Sequence, residues 1–95
     1  MKASMKRLQK EVIANRNRRG WESAHDLSRT TLGLAEEVGE FERARKTKNR
    51  AKMLDALADI AVYCLGGFEI LGADALTEVT EVIVANKNRT HKGHH

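Results

Sequence analysis

The sequence lacks the features that define several protein classes. Its single cysteine, Cys64, excludes a disulfide framework within the chain, and its apolar neighbours predict a buried thiol. No apolar run reaches the roughly 18 residues of a membrane span, because Asp59 and Glu69 interrupt the best one. The basic N-terminus is not followed by the apolar core of a signal peptide. We therefore expect a cytoplasmic protein that does not bind membranes.

Aromatic residues are also few and lie far apart in the chain. They are Trp21, Phe41, Tyr63 and Phe68. Because no basic patch is interleaved with aromatic side chains for base stacking, we do not expect a nucleic-acid partner. The net charge of +4 still indicates an anionic partner. A glycine-rich phosphate loop is absent, so a bound phosphate would have to be held by metal and side chains.

Basic residues form three clusters, which suits the handling of phosphates. The clusters are Arg16, Arg18 and Arg19; Arg43, Arg45, Lys46, Lys48, Arg50 and Lys52; and Lys87, Arg89 and Lys92. Lysine and arginine at helix ends also complement the helix dipole without any ligand, so the clusters alone do not define a site.

The chain of 95 residues predicts a single all-α domain over 1–95, with about 90–95 as a flexible basic and histidine-containing tail. There is no proline and no alternating strand pattern, whereas helical periodicity appears four times. The predicted helices are about 3–19, 28–47 and 50–71, with a fourth that follows Asp74 and turns polar at Asn86, in a four-helix bundle-like subunit. Expected N-caps are Asp26 or Ser28 for the second helix and Asp74 for the fourth, and Gly20 and Gly72 are expected stops.

The third predicted helix is apolar nearly all round, which is typical of a buried helix. We expect Leu57, Ala61, Cys64, Phe68 and Leu71 on its core side. The fourth helix is expected to use Leu76, Val79 and Ile83 as its apolar face. These expectations describe a compact bundle of four helices.

Two acidic clusters stand on the second and third helices. Glu36, Glu37 and Glu40 share one helix edge, and Asp55 and Asp59 share an edge of the next helix. The short connection between these helices makes them antiparallel neighbours, so the clusters can meet. Carboxylates are the ligands that Mg²⁺ and Mn²⁺ prefer. The alternative is a structural network in which the two aspartates neutralise nearby lysine or arginine.

Glu-Glu-x-x-Glu on one helix, followed by an acidic pair on the next, resembles the MazG-like all-α nucleoside triphosphate pyrophosphohydrolases. The resemblance begins at Gly20-Trp21 and ends at the basic segment 86–89. The family pattern is Glu-x-x-Glu followed by Glu-x-x-Asp. Glu37 and Glu40 match its first half and Asp59 matches the final Asp. The remaining ligand position falls on Ala56, which cannot bind metal, and Asp55 is the expected substitute.

The resemblance implies Mg²⁺-dependent hydrolysis of nucleoside triphosphates, including deoxynucleotides or non-standard ones, to monophosphate and pyrophosphate. Mn²⁺ could replace Mg²⁺, and the role would be nucleotide-pool housekeeping. It implies Glu37, Glu40, Asp55 and Asp59 as metal ligands. Glu36 and Glu37 would be catalytic, with Glu36 either binding a further ion or orienting the attacking water. Substrate would be bound by Trp21, Lys87, Asn88 and Arg89. A homodimer or homotetramer is the implied assembly.

Two other functions stay open at this point. Ala56 favours a degenerate relative that binds nucleotide without cleaving it. The basic charge is also compatible with a helical adaptor for nucleic acid or protein, in which the acidic residues are structural.

Gly39 lies within the acidic motif, where the space it leaves would serve either a metal with its waters or a closely packed helix.

Overall fold

The computed structural model describes residues 4–20 and 26–89. These residues form four α-helices and no strand: α1 (Met5–Arg18), α2 (Leu27–Lys46), α3 (Arg50–Ile70) and α4 (Ala75–Lys87). The all-α prediction is confirmed. Each helix also lies close to its predicted range.

Every helix begins at a residue whose side-chain oxygen accepts a hydrogen bond from a backbone N–H of the first turn. These caps are Ser4, Asp26, Asn49 and Asp74. Gly20 follows α1 with φ +74° and Gly72 follows α3 with φ +71°. This left-handed backbone is tolerated best by glycine, so both residues end their helices as the sequence predicted.

α2 and α3 form the most extensive helix pair and are joined by a short turn at 47–49. They approach closely where Gly33 of α2 meets the ring of Tyr63 on α3. α1 packs on α3 beside this pair, and its Arg16 side chain lies against Gly66. The small residues of α2 and α3 therefore determine how closely the three helices pack.

The predicted core side of α3 is wrong. Leu57 is 49% exposed and Leu71 is 68% exposed, and Ala61 and Cys64 are also exposed. Of the predicted set, only Phe68 is partly buried. The buried residues of α3 are instead Ala56, Gly66 and Gly67. α1 and α2 contact the side of α3 that carries these small residues, whereas the large apolar side chains of Leu54, Leu57 and Val62 stay exposed.

A buried glutamine joins α1 to the start of α4. The Gln9 amide nitrogen donates to the Ala73 carbonyl oxygen at 2.5 Å and to Glu69 Oε1 at 3.0 Å. Its amide oxygen accepts from the Ala75 N–H at 2.9 Å. Because Gln9 is only 2% exposed, these bonds satisfy polar groups that water does not reach. They fix the corner between α3 and α4.

α4 leaves this corner at a steep angle, since α3 and α4 are bent by 109° relative to each other. It contacts α1 and α3 only slightly. Leu76, Val79 and Ile83, which were expected to pack inward, are all exposed. Among the described helices, none is by itself long and apolar enough to cross a membrane, and only the bent pair of α3 and α4 reaches that length and composition together.

Candidate functional site

An acidic cleft of about 480 Å³ lies between α2 and α3. It is lined by Glu36, Glu37, Glu40, Arg43, Lys52, Asp55, Ala56 and Asp59. The structure thus brings together the five carboxylates that the helical spacing had placed on two facing edges. The cleft also contains Ala56, the position at which the motif lacks a carboxylate.

Glu37 is the carboxylate most affected by its surroundings. Its loss of solvent, followed by the negative charges of Asp59, Glu40 and Glu36, raises its pKa above the ordinary value of 4.5. A hydrogen bond with Asp59 acts in the same direction. A cation in this cleft would relieve the repulsion among these groups and lower the pKa of Glu37.

Basic side chains enter the same cleft from both helices. Arg43 forms an ion pair and hydrogen bond with Glu40, one turn earlier on α2. Lys52 stands one turn before Asp55 on α3. Within residues 4–20 and 26–89, neither Asp55 nor Asp59 forms a salt bridge. The described part of the chain thus gives the alternative of a structural ion-pair network for these aspartates no support.

The donor set of the cleft suits a hard cation that keeps part of its water shell. Across the described residues, no group of three or more Asp, Glu, His or Cys side chains is already arranged to hold a metal ion. Mg²⁺ does not need such a cage, because it commonly binds through one or two carboxylates, several waters and the phosphates of a substrate. Asp55 and Asp59 are exposed, and Glu37 is partly exposed, so carboxylates from both helices are within reach of solvent.

A second and larger cleft, of about 780 Å³, lies against α1 and adjoins the first. Glu37 and Asp59 line both clefts, so these two residues mark the junction between them. The second cleft is otherwise rich in arginine, since Arg16, Arg18 and Arg19 all line it. An acidic site and a cationic site are therefore continuous.

Arg16 and Tyr63 form a closely associated pair in the second cleft. The guanidinium carbon of Arg16 lies 5.6 Å from the centre of the Tyr63 ring, which is the range of a cation–π contact. Arg16 is 4% exposed, and this burial lowers its pKa. Arginine remains charged even so, because its pKa begins far above neutrality. It thus contributes a fixed positive charge to the wall of the cleft.

The predicted substrate residues do not gather at these clefts in the single chain. Lys87, Asn88 and Arg89 stand at the exposed end of α4 and line neither cleft. Trp21 lies outside the described residues, as does the predicted tail at 90–95. The role of all four substrate residues stays a prediction.

Sequence reasoning recognised Arg43 and Lys52 as parts of a basic cluster but did not place them in the acidic cleft. The signal was present in the sequence, since Arg43 follows Glu40 by three residues and Lys52 precedes Asp55 by three, and residues three apart share a helix face.

Neither a protein-family model, nor a curated protein, nor a solved structure matches this chain. The function is accordingly inferred from the residues of the two clefts and from the motif they carry.

Proposed function

We propose that the protein hydrolyses nucleoside triphosphates between the α and β phosphates, in a reaction that depends on Mg²⁺, with Mn²⁺ as a substitute. The observation that carries the proposal is the junction of an acidic cleft with an arginine-rich cleft at Glu37 and Asp59. A triphosphate bound with a metal needs both kinds of surface side by side. The products would be a nucleoside monophosphate and pyrophosphate, as in housekeeping of the nucleotide pool.

Glu37 and Asp59 are the first candidates to hold the metal, with Glu40 and Asp55 as further ligands. When bound, Mg²⁺ would neutralise phosphate charge and lower the pKa of a coordinated water. Glu36 lies on the same edge of α2 and would orient the attacking water.

The arginines of α1 would bind the phosphate groups that extend into the second cleft. Arginine offers a planar fork that makes paired hydrogen bonds to phosphate oxygens. The ring of Tyr63, at the wall of the same cleft, supplies an apolar face for the nucleoside. The cleft is large enough for a small ligand, since ligand pockets usually measure about 300–1,000 Å³.

The test is pyrophosphate release from a panel of ribo- and deoxyribonucleoside triphosphates with Mg²⁺. Glu37→Gln and Asp59→Asn should each lower the rate by about 100-fold or more, because each removes a carboxylate that would hold the metal. Glu42→Gln is the matched control, because Glu42 lies on α2, bonds to Arg45 and lines neither cleft. It should retain the rate of the parent. A Glu42→Gln variant as inactive as Glu37→Gln would contradict the assignment.

A second candidate function is nucleotide binding without hydrolysis. The observation that favours it is Ala56, which is 3% exposed and stands in the acidic cleft at the position where the motif expects a ligand. In this case a triphosphate with Mg²⁺ would raise the melting temperature, because binding to the native state stabilises it. Pyrophosphate release would be absent with every nucleotide. A basic adaptor would show neither the Mg²⁺-dependent shift nor its loss in Asp59→Asn.

A further inference from the structure

The last helix exposes a continuous apolar face. From Leu76 onward, all described residues of α4 and its end are exposed. Leu76, Val79, Val82 and Ile83 are between 42% and 60% exposed, and their spacing places them on one side of the helix. A contiguous apolar stripe of this kind on a small domain marks a surface that another molecule covers.

The exposure follows from the way in which α4 is attached. Gln9 and the buried Ala75 hold only the first turn of the helix against α1. The bend of 109° then directs the rest of α4 away from α3. Because the first turn is held in place and the rest of α4 points away from α3, the apolar face stays exposed to solvent.

The charges of α4 indicate what covers this face. Glu78, one turn before Val82, lies in the first turn of the helix, whereas Lys87 and Arg89 lie at its end. In an antiparallel pair of identical helices, the acidic first turn of each one faces the basic end of the other. The helix dipoles also oppose one another in that arrangement. A parallel pair would instead place like charges side by side.

We propose that α4 pairs with α4 of a second copy of this chain, in an antiparallel and two-fold symmetric interface. In such an interface the same surface serves both partners. The 13 residues of α4 span about 20 Å. The proposal concerns assembly and stands independently of the proposed hydrolysis.

Sedimentation equilibrium of the full chain in the micromolar range is the first test. The parent should be a dimer, and Val79→Glu with Ile83→Glu should weaken dimerisation by about 100-fold or more, since apolar residues at an interface centre dominate affinity. Leu32→Glu is the matched control, because Leu32 is 62% exposed but lies on α2. It should leave the dimer unchanged. Circular dichroism checks that each variant keeps its helices.

Cysteine cross-linking tests the orientation in a Cys64→Ser background. Ile83 lies near the centre of the proposed pair, so Ile83→Cys should form a disulfide between two copies. The two Leu76 positions would be about 20 Å apart, which exceeds the roughly 7 Å that separates the α-carbons of a disulfide. Leu76→Cys should therefore not cross-link under the same oxidation. Equal cross-linking at both positions would overturn the antiparallel arrangement.

The charge pattern gives an independent test of the same interface. Reversing Glu78 to lysine should weaken dimerisation by about tenfold, as should reversing Lys87 and Arg89 to glutamate. Combining all three reversals should restore it. A parent that stays monomeric, or that binds phosphatidylcholine vesicles as a monomer, would overturn the proposal. A dimer that Leu32→Glu disrupts as strongly as the α4 variants would do the same.

Discussion

The contact between Gly33 and Tyr63 gives a sharp prediction about stability. A β-carbon added at Gly33 would lie 2.2 Å from two ring atoms of Tyr63, Cε1 and Cζ. The side chain cannot be accommodated without moving the ring, and Arg16 lies over that ring at 5.6 Å. Gly33→Ala should therefore force α2 and α3 apart or expel Tyr63 from its place.

The magnitude follows from two opposing effects. Alanine favours a helix interior over glycine by about 1 kcal/mol. Overpacking a site typically costs about 1–3 kcal/mol, and the overlap here is severe. Gly33→Ala should thus lower the free energy of unfolding by about 2 kcal/mol. For a domain of this size, that corresponds to a loss of about 10 °C in melting temperature.

Gly39 provides a control on the same helix. A β-carbon there would lie 3.6 Å from Arg43 Nη1, which is ordinary contact distance. Gly39→Ala should therefore show the propensity gain alone, about 1 kcal/mol, and melt several degrees above the parent. Thermal and urea denaturation at equal protein concentration measure both variants.

A double variant separates the steric cause from other effects of the alanine. Tyr63→Leu removes the ring, so adding Gly33→Ala to it should cost much less than in the parent. The reasoning would be refuted if Gly33→Ala were as stable as Gly39→Ala. It would also be refuted if the cost of Gly33→Ala were unchanged in the Tyr63→Leu background.

Three further measurements concern the site and the corner of α4. In carboxyl NMR titrations, the pKa of Glu37 should lie above that of an ordinary glutamate, whereas the pKa of Glu42 should lie below it because of its hydrogen bond with Arg45. Mg²⁺ should move the Glu37 transition to lower pH, and an unchanged transition would count against a metal there. The pKa of Glu37 is raised in the folded state, so its contribution to the free energy of unfolding is present at acid pH and is lost as pH rises through that pKa. Glu37→Gln should therefore be more stable than the parent at neutral pH but not at acid pH. Gln9→Ala should cost about 2 kcal/mol and accelerate amide exchange at Ala75, because it leaves buried polar groups unpaired, and unaltered exchange would contradict this account.

Much of the local structure could be predicted from the sequence. Asp26 and Asp74 cap helices, and Gly20 and Gly72 end them, because these effects depend on neighbouring residues only. The candidate acidic site was predictable for a similar reason. Helical spacing puts Glu37 and Glu40 on one edge, and the short turn at 47–49 brings that edge opposite Asp59.

The sequence did not reveal which glycine of α2 needs its lack of a side chain. Gly39, inside the acidic motif, has room for a β-carbon, whereas Gly33 does not because Tyr63 lies against it. Nor did it reveal that the arginine-rich cleft adjoins the acidic one through Glu37 and Asp59. Both facts depend on the relative placement of α1, α2 and α3.

The sequence by itself thus determined the helices, their ends and the acidic edges, since hydrogen bonds and spacing within a helix act over a few residues. Tertiary structure decided which side of α3 is buried. Its apolar residues surround the helix nearly completely, so periodicity could not distinguish the side of Ala56 from the side of Leu57. It also decided the direction of α4, which Gln9 sets through hydrogen bonds to residues more than sixty positions later in the chain.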